Sequence, residues 1–242
     1  FSARCSRSGS LTPTRAISAE VKFNKAAERH CFLDFAAGGD ENVIGLRIGN
    51  RATIEDAWRE KNTMSAVGRF VTNLERLRRE HGLQPHEIEG DADGLGKPMV
   101  DAIRAAGWPI LEFHGASPPL LDSHYTNRIS EVWFEGCEEI RRCRLIVPDD
   151  DDLRAQIISR KKVTHPKGLL KIEPKDQLCG PQRNMPSPDR ADAVLAAILP
   201  LPTMRGQPML VRPKMSVSEV FAQAQARNQW RSAELAGCDF GA

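Results

Sequence analysis

No stretch of the 242 residues is apolar for long enough to cross a membrane. The longest, 193–199, falls far short of the roughly 18 residues a span requires. The six cysteines, Cys5, Cys31, Cys137, Cys143, Cys179 and Cys238, form no CxxC pair, so a zinc ribbon and a thioredoxin motif are both missing. Scattered in a chain large enough to build its own core, they point to reduced thiols and a cytosolic setting. The six histidines have no HExxH or paired spacing, which argues against a zinc hydrolase. An excess of one charge is also lacking. Lys and Arg number 34 against 32 Asp and Glu, so the net charge of +2 excludes a histone-like binder. With 40% hydrophobic and 27% charged residues, the composition is that of an ordinary globular protein. No internal repeat is visible.

Both ends read differently from the middle. Residues 1–29 carry six Arg or Lys against two Glu and lack the apolar core of a secretory signal. The Arg/Ser-rich opening mimics an organellar transit peptide, but the first residue is Phe1, which suggests a chain cut from something longer. From Leu199 onward, Pro200, Pro202, Gly206, Pro208 and Pro213 give a linker composition, and 217–235 reads as an Ala/Gln-rich helix outside the main core.

The middle alternates strand and helix. Residues 30–36 form an apolar run interrupted by Asp34; 42–48 and 51–58 follow, separated by Gly49-Asn50, a two-residue hairpin signal. Short turns between them, the first at Gly38-Gly39-Asp40, predict an antiparallel meander. Met64, Val67, Phe70, Val71, Leu74 and Leu77 fall at helical spacing, with Gly82 as the stop. A short strand at 87–90, a helix at 98–106, a strand at 108–113 and a helix at 127–141 complete the series. This element order is that of an RNase H-like mixed α/β domain: three antiparallel strands, then parallel strands, flanked by helices.

Three acidic features stand out on that framework. Asp34 interrupts an apolar strand, where an ionised carboxylate is costly unless paired or bound to a cation; capping the next loop would also explain it. Asp91 sits where a strand leaves the sheet, in Gly90-Asp91-Ala92-Asp93-Gly94-Leu95-Gly96-Lys97-Pro98. That stretch is no Walker A motif, because Asp91 and Pro98 stand where Gly and Ser/Thr are required. In Ser187-Pro188-Asp189-Arg190-Ala191-Asp192-Ala193, Ser187 reads as an N-cap and Pro188 as the first helical residue. Asp189 and Asp192 then share one helical face, a placement that dipole complementation alone also accounts for. Taken together, Asp34, Asp91, Asp189 and Asp192 match the hard oxygen ligands that two Mg²⁺ or Mn²⁺ ions need for phosphodiester hydrolysis.

At these residues the sequence resembles the nuclease domain of phage terminase large subunits. The matching stretches include Leu33-Asp34-Phe35-Ala36, Gly38-Gly39-Asp40-Glu41-Asn42, Gly90 to Met99, Gly107-Trp108 and Gly115-Ala116-Ser117-Pro118. They continue through Tyr125-Thr126-Asn127-Arg128, Glu131-Val132-Trp133-Phe134, Ile172-Glu173-Pro174-Lys175-Asp176 and the Ser187 to Ala193 motif. The resemblance implies a metal-dependent endonuclease that cuts concatemeric viral DNA during packaging. Asp34 would be the first-strand ligand, Asp91 the ligand shared by two Mg²⁺ or Mn²⁺ ions, and Asp189 and Asp192 would complete the set. Asp40 and Asp93 stand nearby as supporting or alternative ligands. Pro174 replaces a frequent Ser, and Arg183-Asn184 a frequent Arg-Gly.

The implied organisation is an N-terminal extension or linker at 1–29, an RNase H-like nuclease domain at 30–200, and a Pro-rich linker with a candidate tail helix at 201–242. The implied partners are double-stranded DNA, the terminase small subunit, the portal protein and an ATPase domain outside this chain, in the cytoplasm of an infected or prophage-carrying bacterial cell. Residues 154–183 hold eight Arg or Lys against two acids, and Arg160, Lys161, Lys162, Lys167, Lys171, Lys175 and Arg183 are the candidate phosphate contacts. Asp149-Asp150-Asp151-Asp152 reads as an acidic helix cap. The alternatives are a Holliday-junction resolvase or RNase of the same fold, and a non-catalytic packaging remnant that binds DNA or portal.

Overall fold

In a computed structural model, residues 28–36, 38–120 and 123–199 are described. The expectations for 1–27 and for 201–242, including the helix at 217–235, lie outside the described residues. The central sheet has the order β3-β2-β1-β4-β5. Strands β1 (Arg29–Asp34), β2 (Asn42–Ile48) and β3 (Arg51–Trp58) form the antiparallel meander, while β4 (Ile88–Asp91) and β5 (Leu111–Phe113) run parallel to β1. This is the RNase H-like arrangement.

Successive strand residues point to opposite faces, and the sequence uses both. Cys31, Leu33, Ile44, Leu46 and Ile88 pack beneath α1 (Thr63–His81) and α2 (Gly96–Ala105). Phe32, Val43, Ala52 and Phe113 pack on the other face with α3 (Arg128–Arg141), α4 (Asp151–Ser159) and α6 (Asp189–Ile198). The same alternation carries Asp34, two residues after Phe32, to the α6 face.

Helix α1 starts at Asn62, whose side chain accepts from the Met64 and Ser65 amides, and stops at Gly82 in the left-handed region. Helix α4 has Asp150 as its cap, accepting from the Leu153 amide, as the acidic run predicts. At α6 the expected cap shifts by one residue: Pro188 is the N-cap, and the Ser187 hydroxyl instead donates to Asp189 Oδ1.

Helix α6 is rich in alanine and packs closely on the sheet. A Cβ at Gly45 of β2 would stand 2.6 Å from the Ala193 carbonyl oxygen, and one at Gly136 of α3 would stand 2.9 Å from the Leu195 side chain. These two glycines set the depth at which α6, and with it Asp189 and Asp192, meets the sheet. Beyond the expected elements, a small hairpin of β6 (Lys162–Thr164) and β7 (Leu170–Ile172) and the short helix α5 (Lys175–Cys179) lie between α4 and α6.

Candidate metal centre

Asp34 and Asp91 end the two central parallel strands. Leu33 pairs with Gly90, so the following residues, Asp34 and Asp91, leave the sheet side by side at its C-terminal edge. That edge is where ligands bind in open α/β sheets. Gly96 allows the tight β4–α2 turn, since a Cβ there would come within 1.8 Å of the Asp91 carbonyl oxygen. Asp189 and Asp192 approach the same edge from the first turn of α6, both buried.

Lys175, the first residue of α5, reaches into this group. Its Nζ lies 2.9 Å from Asp192 Oδ2 and 3.4 Å from Asp189 Oδ1. Its charge also acts on Asp34 and Asp91, so one ammonium serves all four aspartates. Asp192 Oδ1 takes two further donors, Trp133 Nε1 and, at 3.0 Å, Arg160 Nη1. The Arg160 guanidinium stacks 4.7 Å from the Trp133 ring centre and donates to the Glu173 carbonyl at 2.7 Å. Asp189 Oδ2 accepts from the Glu41 amide at 3.0 Å.

The four carboxyls are thereby driven apart in acidity. Burial pushes Asp34 well above its ordinary range; Lys175 pulls it back, while Asp189, Asp192 and Asp91 push it further up. Asp91 is raised to about 6, chiefly by burial. Asp189 is raised, again by burial first. Burial also acts on Asp192, but Lys175 and Arg160 outweigh it and hold this carboxyl below its ordinary value. For Lys175, burial disfavours the charge and the facing aspartates more than offset it, keeping the ammonium well above its usual pKa.

Among the described residues, no three His, Cys, Asp or Glu side chains close tightly enough to form a ready-made ion cage. Two observations nevertheless fit a hard divalent cation. Asp34 is 3% exposed and its Oδ2 has no hydrogen-bond partner among the described residues. Among the described residues the four carboxyls are also balanced by Lys175 and, at Asp192, by Arg160, leaving negative charge that oxygen-seeking Mg²⁺ or Mn²⁺ would neutralise.

The remaining expected site residues divide. Asp40 is exposed on a cleft of about 260 Å³ that also borders Glu41, Arg59, Ser187 and Asp189, and its charge raises Asp189. Asp93 is turned to other work: Oδ2 accepts from the Gly115 amide at 2.8 Å and Oδ1 faces His114 Nδ1 at 3.0 Å. Lys161, Lys162 and Lys167 are exposed on or beside the hairpin, and Lys171 is half-buried there.

Three of the candidate phosphate contacts are placed otherwise. Arg160 is 8% exposed and committed to Asp192 and Glu173. Lys175 belongs to the acid cluster. Arg183 pairs with Glu173 and donates to the Ser159 carbonyl at 2.8 Å. All three put their charged ends against buried carboxylates or carbonyls whose desolvation they offset; Arg160 is enclosed, while Lys175 and Arg183 keep part of their side chains in solvent. Charge counting alone does not reveal Trp133 and Arg160 as partners of Asp192; a tryptophan and an arginine meeting one aspartate is a tertiary event.

No family model matches the chain, and no curated protein matches it. Solved structures do. The nuclease domain of the large terminase subunit gp2 of bacterial virus Sf6 superposes with a TM-score of 0.57 at 15% identity, covering 72% of this chain and 89% of that one. A variant of the same Sf6 domain with manganese and beta-thujaplicinol gives 0.58 at 14% identity, with the same coverage. The large terminase nuclease from thermophilic phage G20c with bound magnesium gives 0.51 at 13% identity, covering 72% of this chain and 82% of that one. The chain has the RNase H-like fold of the phage large-terminase nuclease domains.

Proposed function

We propose that the chain is a Mg²⁺- or Mn²⁺-dependent DNA endonuclease, the nuclease domain of a phage terminase large subunit that cuts concatemeric viral DNA during genome packaging. The observation that carries this reading is the gathering of Asp34, Asp91, Asp189 and Asp192 around the Lys175 ammonium at the C-terminal edge of the sheet. It is supported by the manganese, calcium and magnesium in the solved neighbours of the same fold.

A pair of such ions, held by Asp34, Asp91, Asp189 and Asp192, would supply an activated water and would stabilise the attacking and leaving oxygens of phosphodiester hydrolysis. The chain's own residues set up that geometry. Asp34 and Asp91 offer carboxylates from rigid strand ends. Asp192 is fixed in rotation by Trp133 and Arg160, and Asp189 by the Glu41 amide. Lys175 balances the buried negative charge. Asp40, on the rim, supports Asp189.

Lys161, Lys162, Lys167 and Lys171 follow the DNA backbone from the hairpin, giving affinity without base reading. Double-stranded DNA is the substrate. The small subunit, the portal and an ATPase domain outside this chain are the packaging partners, within the cytoplasm of an infected or prophage-carrying bacterium.

A plasmid-nicking assay with Mn²⁺, run beside Asp91→Ala with its fold checked by circular dichroism, tests the reading. Cutting by the wild type alone supports it. Equal cutting by both removes Asp91 from the mechanism, and no cutting by either rejects the endonuclease. Preference for a four-way junction over duplex would favour the resolvase.

A further inference from the structure

Asp91 is held by a loop with little packing of its own. Between Asp91 and Gly96 the chain leaves β4 and enters α2; Gly94 sits at φ 55°, Leu95 is 66% exposed, and only Ala92 reaches the core. Apolar burial therefore fixes the loop at a single point. Its other ties are polar: the Ala92 amide donates to the Phe113 carbonyl at 2.8 Å, the Gly96 amide donates to the Asp93 carbonyl at 3.0 Å, and the Asp93 amide donates to Asp91 Oδ1 at 3.0 Å. This last bond sets the rotation of the Asp91 carboxylate, and it is only as well placed as Asp93 itself.

Asp93 is anchored from across the loop. Its Oδ2 accepts from the Gly115 amide at 2.8 Å, and its Oδ1 lies 3.0 Å from His114 Nδ1, just past the end of β5. A carboxylate only accepts, so the ring proton at Nδ1 is the donor. The other ring nitrogen, Nε2, lies 3.2 Å from Glu112 Oε2. Glu112 is gripped in turn from α2, by Lys97 at 3.3 Å and by Arg104. The order of contacts runs from α2 through Glu112 and His114 to Asp93, and from the Asp93 amide to Asp91.

We propose that His114 is a positioning residue for the candidate metal centre: by pinning Asp93 it fixes the orientation in which Asp91 presents its carboxylate to a divalent cation. The inference rests on the reading of Asp91 as a metal ligand. Both Asp93 oxygens are engaged by His114 and Gly115, so Asp93 acts as a strut between β4 and β5. Exposed ion pairs contribute little to stability, and the role of this one is directional. Partners that orient a metal ligand typically change metal affinity or activity by about 10–100-fold when removed.

The test compares the whole chain with His114→Leu, His114→Asn and Asp91→Asn. Mn²⁺ binding is measured by titration calorimetry, alongside the Mn²⁺ concentration that gives half-maximal nicking and the rate at saturating Mn²⁺. His114 is 46% exposed, so its variants keep the fold, as circular dichroism verifies. The side-chain amide of Asn places a donor near the Nδ1 position; Leu has none. The expected result is about tenfold weaker Mn²⁺ binding in His114→Leu, a matching rise in the Mn²⁺ requirement, a smaller change in the saturated rate, and recovery in His114→Asn. Wild-type Mn²⁺ affinity in His114→Leu, with binding lost in Asp91→Asn, would overturn the role of His114 and leave the metal site standing. Equal loss in His114→Leu and His114→Asn would also overturn it, because the donor would not be what matters. Undiminished binding in Asp91→Asn would reject Asp91 as a ligand, and the inference with it.

Discussion

The Lys175 ammonium lies 2.9 Å from Asp192 Oδ2 while the Asp192 Oδ1 atom is shared between Trp133 and Arg160. One carboxylate is thus fully engaged on both oxygens. Across the same cluster, Asp34 is buried with one oxygen, Oδ2, that has no hydrogen-bond partner among the described residues. Such asymmetry is costly in a protein core, where unpaired polar groups lose their hydration without return. A divalent cation bound there, as proposed above, would offset this cost with more positive charge than one lysine brings.

Replacing Lys175 exposes that cost. With divalent ions chelated, Lys175→Ala removes the cation that acts on all four carboxyls and leaves Arg160 at Asp192. Its expected destabilisation is about 1–3 kcal/mol, allowing for the partial exposure of the lysine. Thermal unfolding in EDTA and in Mn²⁺ provides the check: the variant should melt lower in EDTA and gain more from Mn²⁺ than the wild type. A variant that melts at the wild-type temperature in EDTA would show that Lys175 is not the balancing charge.

The pH dependence follows from the carboxyls with raised pKa values. Asp91 titrates at about 6, pushed there first by burial, and Asp34 well above its ordinary range. A raised carboxyl contributes nothing below its unfolded-state pKa and destabilises progressively as pH rises from there to its folded-state pKa, because the unfolded chain gives up a proton that the fold retains. The metal-free protein should therefore lose stability as pH rises from about 4 through 6 and beyond. Asp192 works in the opposite sense at the acid end, its stabilising charge being lost as pH falls through its lowered pKa. Metal-dependent nicking should rise across the same interval, since ligands must shed their protons to bind. Asp34→Asn should raise the melting temperature in EDTA at pH 8 and abolish the response to Mn²⁺. A flat rate profile between pH 5 and 8 would contradict the assignment of Asp91.

How much of this was legible in the sequence depends on whether a signal was local. Gly49-Asn50 marks its hairpin, and β2 and β3 occupy the residues that the alternation predicts. Gly82 stops α1 because a left-handed residue must follow the last turn. The four aspartates stood out because an acid beside apolar runs needs a reason. The segment between α4 and α6 was opaque: strands of three residues carry too short a pattern, and eight basic residues register as one patch whichever way each side chain turns. The pairing of Arg160, Lys175 and Arg183 is decided by partners in Asp192, Glu173 and the Ser159 carbonyl, which only the assembled fold brings close. Ser187 fails as the α6 cap for a similar reason, its hydroxyl being drawn to Asp189.

Two glycines set the positions of the acids, and each can be tested by one methyl group. Gly96→Ala puts a Cβ 1.8 Å from the Asp91 carbonyl oxygen, and Gly45→Ala puts one 2.6 Å from that of Ala193. In both cases the obstacle is backbone, which cannot rotate aside. Each substitution should cost about 1–3 kcal/mol by overpacking. At a stability matched by lowering the temperature, Gly96→Ala should still lose activity by more than tenfold, because it displaces Asp91 directly. Gly45→Ala lifts Asp189 and Asp192 from the sheet and should weaken Mn²⁺ binding. Wild-type Mn²⁺ affinity in both variants would mean that the acids tolerate displacement and do not share an ion.

The basic stretch gives the last prediction, because the structure divides it into two populations that salt can distinguish. Lys161, Lys162, Lys167 and Lys171 lie on the hairpin or beside it, whereas Arg160 is enclosed against Trp133 and Asp192. A lysine that neutralises a phosphate releases a counterion on binding, so its loss flattens the dependence of log affinity on log salt by about one unit per contact. Lys161→Ala combined with Lys162→Ala should weaken duplex binding uniformly across sequences, flatten that slope by up to about two, and leave the melting temperature within a degree or so of the wild type. Arg160→Ala should do the reverse, lowering the melting temperature by removing a buried partner of Asp192 while keeping the salt slope of any DNA binding that survives. Fluorescence anisotropy with a short duplex at several salt concentrations measures both. If Arg160→Ala flattened the slope and the lysine pair did not, the DNA path would run over the acid cluster rather than along the hairpin.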